Sequence, residues 1–180
     1  STSGGKTGRP ISDHTGGRVL STYRNAPIGI AECSLEGMYV NVNDEFCRIT
    51  GFTKEEVLTH TIKDISYEQD YASEMRLHEQ LLAGEIPTYS IEKRYVRKDS
   101  AIIWVQVIRS LVRDSDGNAL YSVGIVQDVT AKKQAEKALH ETKERYHNLF
   151  NFVPVAVYAC DTNGLILEFN QTAAELWGRV

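Results

Sequence analysis

The 180-residue chain is 42% hydrophobic and 24% charged, ordinary for a globular fold in water, and carries a formal charge of −4. That balance excludes a broad basic face for nucleic acid, and no apolar run is long enough to span a bilayer. Cys33, Cys47 and Cys160 are scattered without a CxxC pair and the five histidines show no i, i+4 spacing, so neither a disulfide framework nor a metal site is expected.

A reducing cytoplasm is the natural setting, with no direct membrane contact; any membrane anchor would lie elsewhere in a longer parent. Residues 1–20 begin Ser1-Thr2-Ser3-Gly4-Gly5 without an initiator Met and read as a flexible polar leader on a processed piece. Gly5-Lys6-Thr7 looks like the end of a phosphate loop, but no apolar strand precedes it. From Ser21 the pattern sharpens. Two apolar strands, Ile28 to Cys33 and Met38 to Val42, flank a Glu36-Gly37 turn. Asn43 stands as a helix N-cap ahead of Asp44, Glu45, Phe46 and Ile49, and Gly51 ends that helix. Thr53 with Glu56 predicts a capping box, and a longer helix is expected from Glu68 to Leu82. Strands follow at 88–97, 101–112 and 120–129, with turns at Lys98-Asp99-Ser100 and Ser115-Asp116-Gly117-Asn118. Two strands, short helices and three strands predict an α+β fold, an antiparallel sheet with its helices gathered on one face.

After Thr130 the character changes. Residues 131–150 lack Gly and Pro and are rich in Lys, Glu and Ala, which predicts a connector helix with Thr130 as N-cap. Ala135, Leu139, Thr142, Tyr146 and Leu149 alternate four and three apart, the spacing of a coiled-coil seam that would pair with a second chain. An amphipathic helix packed on its own domain is the alternative. Residues 151–180 then repeat the start of the domain. Pro27 and Pro154, Cys33 and Cys160, Gly37 and Gly164, Asn43 and Asn170, and Gly51 and Gly178 are each separated by 127 positions. The chain therefore reads as a domain at 21–130, a helix, and an incomplete second copy of the same domain.

These residues resemble the PAS family of sensory domains. The resemblance rests on Asn25-Ala26-Pro27-Ile28-Gly29-Ile30, the run from Asn43 to Phe52, Glu55-Glu56-Val57-Leu58, Arg97-Lys98-Asp99, Ile103-Trp104-Val105, and Gly124 through Thr130. It implies a five-stranded antiparallel sheet curved around a pocket closed by short helices. It also implies a role in bacterial signalling, most often in sensor histidine kinases and next in cyclic-di-GMP enzymes. Asp128-Val129-Thr130 stands where such domains hand a change to the following helix, which makes Asp128 and Thr130 relay candidates. Two departures stand out: Ser100 replaces the usual glycine after Lys-Asp, and Ser66-Tyr67-Glu68-Gln69-Asp70 replaces a His-Pro-x-Asp helix start.

Where the light-sensing LOV subclass carries its flavin-adduct cysteine, this chain has Ile62; the flavin asparagines fall on Tyr95 and Val105, and the signalling glutamine on Val126. Flavin photochemistry is therefore not expected, and Cys47 is no substitute. Haem is not expected either: His78, the histidine within the long helix, is out of register with the haem-linked position near Glu85, and reads as a solvated helix histidine. No cofactor is assigned. The resemblance aims Tyr95, Val105, Val107 and Val126 at the pocket, alternation adds Ile91 and Lys93, and Phe46 and Ile62 complete the candidate set. Such a wall describes either a filled hydrophobic core or a small apolar cavity. Lys93 is its odd member: it either snorkels to the rim or meets an anionic ligand or a carboxylate.

No nucleophile and base pair, phosphate loop or kinase motif is present, and Asp99, Asp114 and Asp116 sit in turns where Asp favours local hydrogen bonds. The chain is therefore read as non-catalytic, a sensory and dimerisation module whose output domain lies elsewhere in the parent. A ligand-free structural spacer is the rival reading. Trp104, opposite in phase to Val105, is expected on the outer sheet face, covered by the connector helix or a second protomer; with Leu139, Tyr146 and Leu149 it forms the candidate homodimer surface.

Overall fold

A computed structural model describes residues 21–178, so the leader expected at 1–20 lies outside the described residues. The chain divides after Thr130 into two compact units. No helix among the described residues is long and apolar enough to cross a membrane.

In the first unit two strands, β1 (Gly29–Cys33) and β2 (Tyr39–Val42), precede four helices: α1 (Asp44–Thr50), α2 (Lys54–Val57), α3 (Ile62–Ile65) and α4 (Glu68–Leu82). Three longer strands follow, β3 (Thr88–Val96), β4 (Ile102–Arg113) and β5 (Ala119–Asp128). They form one antiparallel sheet in the order β2-β1-β5-β4-β3, the expected five-stranded α+β fold. Burial alternates along β4, where Ile103, Val105, Val107 and Arg109 are buried and the residues between them are not. One face of the sheet therefore packs under the helices, and α1 and α3 contribute Phe46, Ile49, Ile62 and Ile65 to the same core.

Asn43 does more than cap α1. Its Oδ1 accepts from the Phe46 amide (3.0 Å) and also from the Ile30 amide on β1 (2.8 Å). Its Nδ2 donates to the Ile28 and Tyr23 carbonyls at 2.9 and 3.1 Å. One buried side chain thus satisfies four backbone groups and fixes the angle between hairpin and helix. Gly51 closes α1 in the left-handed conformation, φ 78°, and Thr53 with Glu56 forms the expected capping box on α2. Tyr67, at the start of α4, gives no side-chain cap. Asp99 and Asp114 accept hydrogen bonds from backbone amides in their own turns.

Helix α5 (Thr130–Phe152) opens at the division, and all but its first residue lies in the second unit with a hairpin of β6 (Tyr158–Cys160) and β7 (Ile166–Phe169), and α6 (Gln171–Leu176). α5 runs two residues past the expected end at Phe150. The hairpin repeats the first one bond for bond. Ala31 pairs with Val42 and Tyr158 with Phe169; both hairpins carry a register shift one step later, at Glu32/Cys33 and Ala159/Cys160. Asn170 accepts from the Ala173 and Val157 amides and donates to the Val155 carbonyl, each bond displaced by 127 positions from its Asn43 equivalent.

Ser100 occupies the left-handed region, φ 66°, where the family's glycine would be unstrained. Replacing Ser100 with Gly is expected to raise stability by about 0.5–1 kcal/mol, after allowing for the greater freedom of unfolded glycine. A urea midpoint that moves up with an unchanged slope is the expected reading; a fall would mean that the serine side chain holds the turn.

Candidate functional site

The inner face of the sheet is set by register. Lys93 lies opposite Val105, Ile91 opposite Val107 and Tyr89 opposite Arg109; on the other side of β4, Val107 faces Val126 and Arg109 faces Gly124. Phe46, Ile62, Lys93, Tyr95, Val105, Val107 and Val126 are all buried here, with Ile91 half-buried against them. Six of the eight pocket candidates thus share this sheet face, and Phe46 on α1 and Ile62 on α3 pack into the same core. Tyr39, Phe46 and Tyr95 form an aromatic run, with ring centroids 5.3 and 6.5 Å apart. At the LOV positions stand Ile62, Tyr95, Val105 and Val126, an apolar and aromatic wall without a thiol or an amide.

Lys93 does not reach the rim. Its ammonium is buried and pairs with the Glu74 carboxylate from α4, while the Ser66 hydroxyl accepts from it at 2.5 Å. Ser66 in turn donates to the Ile62 carbonyl, which aims an oxygen lone pair at the ammonium. Glu74 also faces Arg109, 3.8 Å from its Nη2, and accepts from the Tyr89 hydroxyl at 3.3 Å. Arg109 Nη1 donates to Ser122 at 3.2 Å. Lys93, Glu74 and Arg109 are each 1% exposed, so the solvated end that a lysine normally keeps is missing here. Burial pushes the Lys93 ammonium below its ordinary range, and Glu74 pulls it back.

His78 corrects the sequence reading. It is buried rather than solvated, because α4 meets the sheet along Glu74, His78 and Leu81. Its Nε2 lies 3.4 Å from the Leu35 carbonyl, and desolvation, reinforced by Arg109, lowers its pKa.

The exit corner of the sheet is closely tied. The Val129 amide donates to the Trp104 carbonyl and the Trp104 amide to the Thr130 hydroxyl, both at 2.9 Å. Thr130 is therefore not the N-cap of α5. Its hydroxyl is spent on β4, and the Asp128 carboxylate accepts from the Thr130 amide instead, at 2.8 Å. Trp104 is half-buried, and the Arg94 guanidinium lies 5.5 Å from its ring. The same guanidinium sits 4.1 Å over Tyr67 and forms a double hydrogen bond with Asp70 on α4. The cover expected from the connector helix or a second chain is thus begun by Arg94. On α5 no residue is buried, and Leu139, Tyr146 and Leu149 are exposed.

Sequence reading missed Glu74, Arg109, Ser66, Tyr89 and Ser122. A signal for Arg109 was available, since it stands two residues beyond Val107 on the same face. Glu74 falls in the stripe Tyr71, Glu74, His78, Leu81, whose helical spacing marks one side of α4 despite its polar members.

A family model described as "PAS domain" matches residues 27–131, and a second of the same description matches residues 144–180. Among curated relatives, Probable diguanylate cyclase DgcE of Escherichia coli is 32% identical over 127 residues, covering 68% of this chain and 12% of that protein. Sensor histidine kinase TmoS of Ectopseudomonas mendocina is 26% identical over 127 residues, 71% of this chain and 13% of its own length. The chain thus spans about an eighth of these relatives. Among solved structures, the PAS domain of a Colwellia psychrerythraea protein superposes with a TM-score of 0.61 at 15% identity, covering 65% of this chain and 98% of that one.

The charge arrangement makes an asymmetric prediction. Glu74→Gln leaves two buried cations facing each other and is expected to cost about 3–5 kcal/mol. Lys93→Met leaves Arg109 and Glu74 as a neutral pair and is expected to stay within about 1.5 kcal/mol of the parent protein. Chemical denaturation of both variants at pH 7 checks the order, and equal losses would contradict it.

Proposed function

The chain belongs to the PAS domain family, and on that premise we propose that it is the sensory and dimerisation module of a bacterial signalling protein, a sensor histidine kinase first and a diguanylate cyclase second. On this reading catalysis belongs to an output domain elsewhere in the parent, and this chain supplies the signal. On this reading it works in the cytoplasm, beside a nucleotide-using output.

The observation that carries the reading is the double tie between Trp104 and the start of α5. Val105, the next residue along β4, lines the inner face opposite Lys93. A displacement of β4 at the pocket therefore moves Trp104, and Trp104 moves Val129 and Thr130. Arg94 adds a second route, since it binds Asp70 on α4 and lies beside Trp104. Such a relay works when a ligand or partner favours one of two arrangements of the sheet and helix. Homodimerisation is assigned to the exposed seam of Leu139, Tyr146 and Leu149 on α5.

A ligand-free dimerisation spacer is the second reading, favoured by the closed wall of Val105, Val107 and Val126. Thr130→Val separates the two. A relay is expected to lose its sheet tie, so amides at the start of α5 exchange about tenfold faster while those of Val105 and Val107 hold. In the full-length parent, output should then cease to follow its stimulus; a normal response rejects the relay. For the seam, light scattering is expected to give a dimer that Leu139→Glu dissociates, and a monomeric parent chain at high concentration would remove this part of the reading.

A further inference from the structure

The buried charges do not balance. Glu74 counters the burial that would otherwise discharge Lys93, so Lys93 and Arg109 stand as two cations against one carboxylate, with one positive charge in excess. Among the described residues no other group near the cluster supplies the missing anion. Burial raises the pKa values of Cys33, Tyr39, Tyr89 and Tyr95, and lowers that of His78, so all five are neutral at pH 7. Asp70, the next carboxylate toward Lys93, is held by Arg94. An unmatched charge walled off from water is costly and favours any partner that neutralises it.

Arg109 also has an under-used edge, ion-paired to Glu74 at Nη2 but unpartnered at Nε. Nη1 is used by Ser122, Nη2 stands 3.8 Å from Glu74, and Nε has no hydrogen-bond partner. Nε and Nη2 form the side-on fork of a guanidinium, two parallel N–H groups at the spacing of a carboxylate's oxygens. Gly124 lies across from Arg109, and a Cβ there would come within 3.3 Å of Nη2, so glycine keeps that flank clear. The Tyr39 and Tyr95 phenols influence each other's ionisation, yet neither hydroxyl meets a partner with hydrogen-bond geometry. Beyond them the wall is Val105, Val107 and Val126.

We infer that this cluster is a binding site for a small monocarboxylate with a short apolar tail, its carboxylate on the Nε/Nη2 edge of Arg109 and its charge matching the excess cation. The inference rests on the sensory reading above and names the class of ligand. A single negative charge suits the site better than a phosphate, which carries nearly two. Entry requires α4 to lift from the sheet. Lifting exposes Leu81 and the half-buried Tyr71, and it is opposed by the ion pair of Glu74 with Lys93. The movement would also draw on Asp70 and Arg94, and through them on Trp104.

The test is calorimetric titration of the whole chain in chloride-free buffer with acetate, propionate and butyrate, and with propionamide as the neutral match. Saturable binding of a carboxylate and none of propionamide is expected. Lys93→Met removes the excess charge and keeps the fork; Arg109→Lys keeps the charge and removes the fork. Each is expected to weaken binding by about tenfold or more. The inference is overturned if no carboxylate binds, if propionamide or chloride binds equally well, or if Lys93→Met retains full affinity. Should Arg109→Lys fail to fold, Lys93→Met decides alone. Thr130→Val, outside the cluster, should bind carboxylate normally, so failure of the ligand and failure of the relay register separately.

Discussion

Glu74 is the group on which the arrangement of the first unit turns. Two strands each deliver a cation to the inner face, and Lys93 and Arg109 both draw on a counter-charge in so little water. The carboxylate that meets them comes from α4, so electrostatics decides where this helix rests. A helix ordinarily packs on a sheet through an apolar stripe. Here two of its three buried side chains are polar, and the binding between helix and sheet is directional: an ammonium, a guanidinium and a phenol all converge on one carboxylate. Directional contacts break together when the geometry changes, which suits a two-position element better than a greasy interface does.

The same economy appears at the sheet's exit. Thr130 has one hydroxyl, and it is used to hold β4 instead of capping its own helix. Asp128 accepts from the Thr130 amide, so the two relay residues have separate duties: the Thr130 hydroxyl is held by β4, and Asp128 satisfies the first amide of the helix. Trp104 joins the inner and outer routes because its backbone holds the corner while its ring lies beside Arg94.

Much of this was legible in the sequence, for reasons of range. Strand alternation, the Asn43 cap, the Thr53/Glu56 box and the Asp turns depend on neighbours a few residues away, and such patterns are written directly in the chain. The repeat was legible because five identities kept one spacing. The charged cluster was not. Whether Lys93 meets solvent, a ligand or a carboxylate depends on which side of α4 faces the sheet, and that side is marked by Glu74 and His78, residues that ordinarily signal exposure. The same cause led His78 to be read as solvated. Thr130 misled for a different reason: a threonine before a helix is a sound cap until a long-range partner, here Trp104, takes its hydroxyl.

The Asn43 latch has a kinetic side. It joins Ile30 to a residue 13 positions away, whereas β1 meets β5 across 89 positions, as in the Cys33 to Ser122 contact. Closing the longer loop carries about 1.7 kcal/mol more chain entropy. Hairpin and first helix can therefore assemble as a local nucleus, long before β5 arrives to complete the sheet. Because Asn170 reproduces the latch, each copy carries its own starting point, and the two can begin to order without waiting for one another.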